Sequence, residues 1–539
     1  MKVPSAIASG AWLASSIPSW SRFRRALSRP AETQDRILHR LLGRNAESAY
    51  GRKFDFKTIR SYEQFNERVP IVDYDDLEPW VERITCGESS VLTTEPVTHL
   101  IPTSGSTGGR KLIPFTPSFQ RELNAAIGPW MIDLCRQHPT IASGAAYWSI
   151  SPALPPAGDE KSAVPIGFED DSNYLGGIRR RLVESAFAVP SILRLAPDIE
   201  SFRYLTLLCL LRRPDLVLIS IWHPSFLALL LDALPAWWEE LLGDVNTGKC
   251  PRASALPAEI RRAMTVRPGP ARAKELAAED PRRPARLWSR LKLVSCWGDG
   301  QAAMAAADLR MRLPQTAVQP KGLLATEAFV SIPFQGQHPL SVASHFFEFC
   351  DEDGVIHRAH ELHRGQSYSV VVTTGAGLWR YRLGDEIEVD GFVEETPSLR
   401  FIGRDGVVSD ICGEKLAETF IAQAIAKACA AQSCTPRFAM LAPERDEAGR
   451  WGYTLFVEGE LSAELPDLLD RELRENPNYT VCRNLGQLRP ARCFKVTSGG
   501  YAEFVNVSIE EGGQRLGDIK PKVLSNDTRW AKRFEGDYW

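Results

Sequence analysis

In TQDRILHRLLGRNAESAYG, the residues Ile37, Leu38, Leu41 and Leu42 recur at the spacing that gathers them on one face of a helix. A longer apolar stretch, YLTLLCLLRRPDLVLISIWHPSFLALLLDALPAWW, is interrupted by Arg212, Arg213, Pro214 and Asp215. The pieces fall below the ~20 residues that a membrane span needs. Their pattern predicts a helix over Tyr204 to Leu211, a buried strand over Leu216 to Ile221, and a helix opening at Pro224 and Ser225. Short β-rich runs recur at Tyr147 to Ile150, Leu291 to Cys296 and Tyr368 to Thr374. This is the rhythm of an α/β chain.

The character changes from about Gly365. SYSVVVTT, IEVDGFVEE and SLRFIGR predict consecutive strands joined by tight turns, a compact β unit. After Arg404 the pattern predicts a helix over Glu414 to Ala430, strands at Phe438 to Leu441 and Gly452 to Val457, a helix over Leu461 to Arg474, and a final strand at Arg492 to Val496. The expected organisation is an N-terminal extension (1–30), a large α/β domain (31–403) with a β subdomain (364–403), and a small α+β domain (404–539). VRPGPARAKELAAEDPRRPAR reads as a surface helix with loops.

Length supports more than one unit, because 539 residues exceed what one core usually organises. With 44% hydrophobic and 24% charged residues the chain is an ordinary globular one, and a formal charge of -3 gives no case for a nucleic-acid or anionic-membrane partner. Its 11 cysteines show no CxxC and no framework spacing, which suits reduced thiols and a cytoplasmic setting. MKVPSAIASGAWLASSIPSW imitates a signal peptide only weakly, since Pro4, Ser15, Ser16 and Pro18 break its apolar run.

The candidate chemistry begins at TSGSTGGRK, residues 103–111. Three glycines allow backbone geometries in which successive N–H groups turn inward on an anion, and Thr103, Ser104, Ser106 and Thr107 add hydroxyls. No GxxxxGK[ST] is present, so this is not the Walker phosphate loop. Composition alone suits a polar linker equally well. The flanks, VTHLIP and LIPFT, read as strands on either side of a tight loop.

TSGSTGGRK resembles the phosphate loop of the adenylate-forming enzymes, the superfamily of acyl-CoA synthetases, adenylation domains and luciferases; Arg110 departs from the Pro common there. ATEAF (325–329), RYRLGD (380–385) and FIGRDGVVSDICGEKLAE (401–418) follow in the superfamily's order. Within it, LLGRNAESAYGRKFDF, FNERVPIVDYDDLEPWVERITCGESSVLT, KLIPFTPS, CWGDGQ and KGLLATEAFVSIPF are most similar to the auxin-responsive promoter family of acyl-acid amido synthetases, which also has bacterial members. NPNYTVCRNLGQLRPARCFKV and GDIKPKVL fit the same family more loosely.

The resemblance implies that ATP activates a small carboxylic acid as an acyl adenylate, which an amine, expected to be an amino acid, then attacks. It implies phosphate contacts from Thr103, Ser104, Ser106, Thr107 and Gly108, with Lys111 as a further cation. Glu327, beside Thr326, is the expected Mg²⁺ ligand, a hard oxygen for a hard cation. Asp385 is expected on the ribose hydroxyls, and Arg404 and Asp405 at the hinge between the domains. Lys415 resembles a nucleotide-contacting lysine and Lys520 the mobile lysine of the adenylation transition state, with Lys522 competing for that role. Many relatives stack a Tyr on adenine four residues before this Glu, whereas this chain has Leu323.

Two other enzyme readings are weaker. HRAHELH sets His357, His360 and His363 three residues apart, a spacing that invites a metal reading, but Asp351, Asp353 and Gly354 before it read as a hairpin turn leading into SYSVVVTT. No GxSxG supports a serine hydrolase. An acyl-CoA ligase and a non-catalytic nucleotide-binding relative remain as alternatives. Trp130, Trp148 and Trp222 fall in the region expected to wall the acid, without a distinction between core and pocket. Oligomeric state is open.

Overall fold

The helix Pro30–Asn45 buries Ile37, Leu38, Leu41 and Leu42, the face their spacing predicts. Gln34 locks that helix down, its side-chain amide donating to the carbonyls of Val342 and His345 at 2.8 Å each. The computed structural model describes residues 5–104, 110–149, 162–167, 187–404, 408–432, 434–446, 449–511, 519–520 and 522–539. Residues Ser5–Leu27 form a helix that sets Phe23 edge-on against Phe334 at 5.3 Å, and its last carbonyl accepts from Thr396 Oγ1 at 2.9 Å.

Strands β1 (His99–Ser104) and β2 (Arg110–Phe115) form an antiparallel pair running from His99 opposite Phe115 to Ser104 opposite Arg110. Next come β3 (Ala145–Trp148), β4 (Leu216–Ser220), β5 (Leu293–Cys296) and β6 (Ala317–Pro320), one sheet in that order with every neighbour parallel. Parallel neighbours need crossovers. The helices Ile199–Leu211, Pro224–Thr247 and Ala303–Arg312 lie within the successive connections. Both central strands, β4 and β5, are buried throughout, as their apolar runs require.

A second sheet is antiparallel: β7 (Phe346–Cys350), β8 (Ile356–Arg358), β9 (Ser367–Thr373), β10 (Tyr381–Val393) and β11 (Thr396–Arg404), in the order β11-β10-β9-β7-β8. The strands read from SYSVVVTT, IEVDGFVEE and SLRFIGR are thus joined by two earlier ones. Short β12 (Val408–Ser409) and β13 (Leu416–Ala417) pair with each other. Finally, β14 (Phe438–Arg445), β15 (Trp451–Glu458), β16 (Arg492–Val496) and β17 (Gly536–Tyr538) form a mixed sheet in chain order.

Two readings of this C-terminal part are corrected. The helix expected from Glu414 starts at Glu418 instead. Glu414 is drawn into the preceding turn, its carboxylate accepting the backbone N–H groups of Ile411 and Cys412 at 2.8 Å each, and Lys415 takes a left-handed φ of 45°. A helix cannot run through that geometry. Nor is β16 the last strand: the helix Gly500–Glu510 follows, and β17 pairs on its outer side. GDYW carries too few apolar positions to signal a strand by itself.

Among the described residues no helix is long and apolar enough to cross a membrane. All eleven cysteines are free thiols.

Candidate active site

Ligands of open parallel sheets gather at the carboxyl ends of the strands. Here the ladder continues past those ends: Ser149 N donates to Ser220 O at 2.8 Å, Ile221 N to Ser295 O at 2.9 Å, Trp297 N to Trp222 O at 2.8 Å, and Lys321 N to Cys296 O at 2.9 Å. Trp148, Trp222, Trp297 and Lys321 are therefore fixed side by side along one rim. Lys321 is buried, and its ammonium donates to Ser220 Oγ at 2.9 Å. Three indole rings surround that ammonium, with centroids at 4.6 Å (Trp222), 5.8 Å (Trp130) and 6.0 Å (Trp148).

From Lys321 the chain runs into Thr326 and Glu327. Leu324 bridges Phe329, and Ala325 N donates to Ala328 O at 2.9 Å, so the two residues sit at the tip of a tight reversal and not at a helix start. Glu327 is buried and Thr326 half-buried. Leu323, at the position where many relatives carry Tyr, lies in the core, with its N–H donated to Ser331 Oγ at 2.9 Å and its carbonyl accepting from Val330 N.

Asp385 is almost fully buried on β10, in register with Arg404 at the end of β11. The pairing of β10 with β9 shifts between Arg382 and Glu386, and Gly384 takes a φ of 75°. A bulge next to the carboxylate re-aims it, a placement common beside active sites. Arg380, in the same RYRLGD motif, has a structural task. Its guanidinium is buried against Glu348, with contacts of 2.8 and 3.0 Å, and donates to the carbonyls of Asn66 and Val69.

Thr103 is half-buried on β1 opposite Lys111 on β2, whose ammonium stands 5.6 Å from the Tyr74 ring. Ser104 and Arg110 close the ladder; Ser106, Thr107 and Gly108 lie outside the described residues, as does Asp405. Lys415 is exposed at the turn wired by Glu414. Lys520 reaches the sheet rim, its ammonium 4.9 Å from the Trp297 centroid, while Lys522 is half-buried with no ring beneath it among the described residues.

The structure also assembles groups that the sequence did not single out. His223 caps the helix Pro224–Thr247, stacks on Tyr501 at 5.7 Å and is fully buried. Burial, aided by the charge of Lys520, pulls its imidazole down to about 3. Asp299, after β5, has its carboxyl pushed above the ordinary range by burial, with His338 and Arg400 opposing. The histidines of HRAHELH do not converge: His357 is hydrogen-bonded to Asp351 at 2.7 Å and His360 faces Glu361 at 3.8 Å. Cys412, Glu414 and Cys482 do lie together, but both Glu414 oxygens already accept backbone N–H groups, and burial followed by the Glu414 charge pushes the Cys412 thiol up to about 12.

The architecture is that of the adenylate-forming enzymes. An acyl acid amido synthetase crystallised with 2,4-DB superposes with a TM-score of 0.84 at 21% identity, covering 96% of each chain. A 2-hydroxyisobutyryl-CoA ligase in its postadenylation state superposes with a TM-score of 0.53 at 15% identity, over 94% of this chain and 93% of that one. The N-terminal domain of the GH3 family matches residues 19–318, its central domain 339–404 and its C-terminal domain 419–529, and the chain belongs to that family. Its relatives include the indole-3-acetic acid-amido synthetase GH3.8 of Oryza sativa subsp. indica, 26% identical over 74% of this chain and 70% of that protein. The probable indole-3-acetic acid-amido synthetase GH3.1 of Arabidopsis thaliana is 25% identical over 76% and 72%.

Proposed function

We infer that this chain is an ATP-dependent acyl-acid amido synthetase. A carboxylate oxygen of the acid attacks the α-phosphorus of ATP, pyrophosphate leaves, and the acyl adenylate forms. An amine, in our reading that of an amino acid, then attacks the carbonyl; the amide forms, AMP leaves and a proton is released. The main support is the succession of three GH3 domains over residues 19–529, with relatives named as amido synthetases. A cytoplasmic setting agrees with eleven free thiols.

The chain's own residues then divide the work, most of which is positioning and charge neutralisation. Thr103, Ser104 and Lys111 of the β1–β2 pair, with Ser106, Thr107 and Gly108 between them in sequence, grip the phosphates. Thr326 and Glu327 suit Mg²⁺, because a buried carboxylate on a rigid reversal beside a hydroxyl offers hard oxygen donors at fixed positions. Bound there, the ion would neutralise phosphate charge. Asp385 takes the ribose hydroxyls from its bulge, and Lys415 contacts the nucleotide. Lys520 supplies the cation of the transition state, and Arg404, at the end of β11, marks the boundary about which the small domain would turn between half-reactions.

Acid-dependent exchange of labelled pyrophosphate into ATP tests the first half-reaction. The expected result is exchange with at least one acid from a broad panel; no exchange with any would overturn the enzyme reading.

A further inference from the structure

Where the helices Ser5–Leu27 and Pro30–Asn45 meet, they line a cavity of about 670 Å³. That lies within the ~300–1,000 Å³ typical of small-ligand sites. Its charged lining is Arg22, Arg25, Arg29, Arg36 and Arg40 against one acid, Glu32, a formal charge of +4 in a chain whose net charge is -3. Arg22 and Arg25 stand three residues apart near the end of the first helix, and Arg36 and Arg40 four apart in the body of the second, so each pair shares a helix face. Like charges at these spacings repel. A cation in the last turn complements the helix dipole, which accounts for Arg25 but not for Arg36 or Arg40.

The protein does little to neutralise this charge. Among the described residues Arg22, Arg36 and Arg40 make no hydrogen bond or ion pair, Arg25 donates to the Ser21 carbonyl at 3.3 Å, and Arg29 reaches Glu32 only at 3.7 Å. Arg40 opens to the cavity yet is crowded by protein atoms, and this desolvation pulls its guanidinium below the ordinary range, Glu122 opposing and Arg44, Arg22 and Arg121 adding to the shift. The walls are held in place: Gln34 ties the second helix to Val342 and His345, which flank Ala343 on the uncharged side of the cavity. Of the described residues that line it, none belongs to the candidate active site.

We propose that this cavity binds a small polyanion carrying two or more phosphate groups, its oxygens received by the two arginine pairs and Arg29. A guanidinium offers a planar fork of donors that matches phosphate oxygens two at a time. Two separate pairs lining one space suit more than one phosphate. The concave form suits a small molecule, and the negative charge of the whole chain disfavours an extended polyanion such as a nucleic acid or an anionic membrane. This second anion site stands independently of the adenylating function. Free polyphosphate and the phosphate chain of a nucleotide both supply the chemistry.

The test is calorimetric titration of inorganic tripolyphosphate, without Mg²⁺, into the full-length wild type, Arg36→Gln/Arg40→Gln, Arg22→Gln/Arg25→Gln and Lys111→Ala. Loss of two charge-assisted contacts predicts binding weaker by about tenfold or more in each arginine pair, while Lys111→Ala, altered at the other phosphate site, stays within about twofold of wild type. No binding by the wild type at millimolar tripolyphosphate, equal affinity in the wild type and both arginine pairs, or a loss confined to Lys111→Ala would overturn the proposal. If one arginine pair does not fold, the other decides. ADP separates the sources: an ADP affinity that falls in the arginine pairs as tripolyphosphate affinity does assigns a nucleotide, and one untouched by them assigns free polyphosphate.

Discussion

The ammonium of Lys520 stands 4.9 Å from the centroid of the Trp297 indole, which ties a residue near the C-terminus to the rim of the parallel sheet. That contact separates it from Lys522 two positions on. Lys520→Ala is expected to slow adenylation by about 10²-fold, and Lys522→Ala by no more than a few-fold. Single-turnover formation of the acyl adenylate measures both; equal losses would assign the role to neither position alone.

Glu327, held on its reversal by the Ala325–Ala328 hydrogen bond, is the expected metal ligand. Glu327→Gln keeps the shape and removes the charge. Pyrophosphate exchange should fall by about 10²–10³-fold, and the residual activity should need more Mg²⁺ for half-saturation. An unchanged Mg²⁺ dependence would remove Glu327 from that role.

Arg380 is predicted to act on stability instead of chemistry. Arg380→Ala strands the buried Glu348 carboxylate, whose remaining side-chain donor among the described residues is Tyr62 at 2.9 Å. Breaking one side of such a pair costs about 3–5 kcal/mol. The shift of the denaturant midpoint measures it, and a loss under about 1 kcal/mol would contradict the reading.

His223 predicts an acid sensitivity. Buried, it is pulled down to about 3 in the folded chain, against ~6.5 when unfolded. The unfolded state therefore binds more protons between these values, and stability falls as pH drops below ~6.5 toward 3 while staying flat above. The groups facing it are Ser225 on its own helix, Tyr501, Trp297 and Lys520. His223→Asn should flatten the melting temperature between pH 6.5 and 5 relative to wild type.

The α/β core was legible because its signals are periodic and local. Leu216–Ser220 forms a strand where the apolar run demands one, and Ile37, Leu38, Leu41 and Leu42 share a buried face. The turn at Glu414 was not legible, because a carboxylate accepting two backbone N–H groups overrides the helical propensity of the residues after it. Glu327, Asp385 and Lys520 carried motif signals. Asp299 and Lys321 lie within CWGDGQ and KGLLATEAFVSIPF but drew no role of their own, and His223 lay in no motif, since their surroundings come from strands and helices far apart in sequence: Lys321 meets Ser220 across 101 positions. Trp130 and Trp148, ambiguous between core and pocket as sequence, both turn out to flank that ammonium.

The acceptor decides the central claim. An acid that supports exchange should be incubated with ATP, Mg²⁺, the protein amino acids and, separately, CoA, and the products weighed by mass spectrometry. An N-acyl amino acid mass, dependent on ATP and lost in Glu327→Gln, is the predicted result; an acyl-CoA mass with no amide would contradict it.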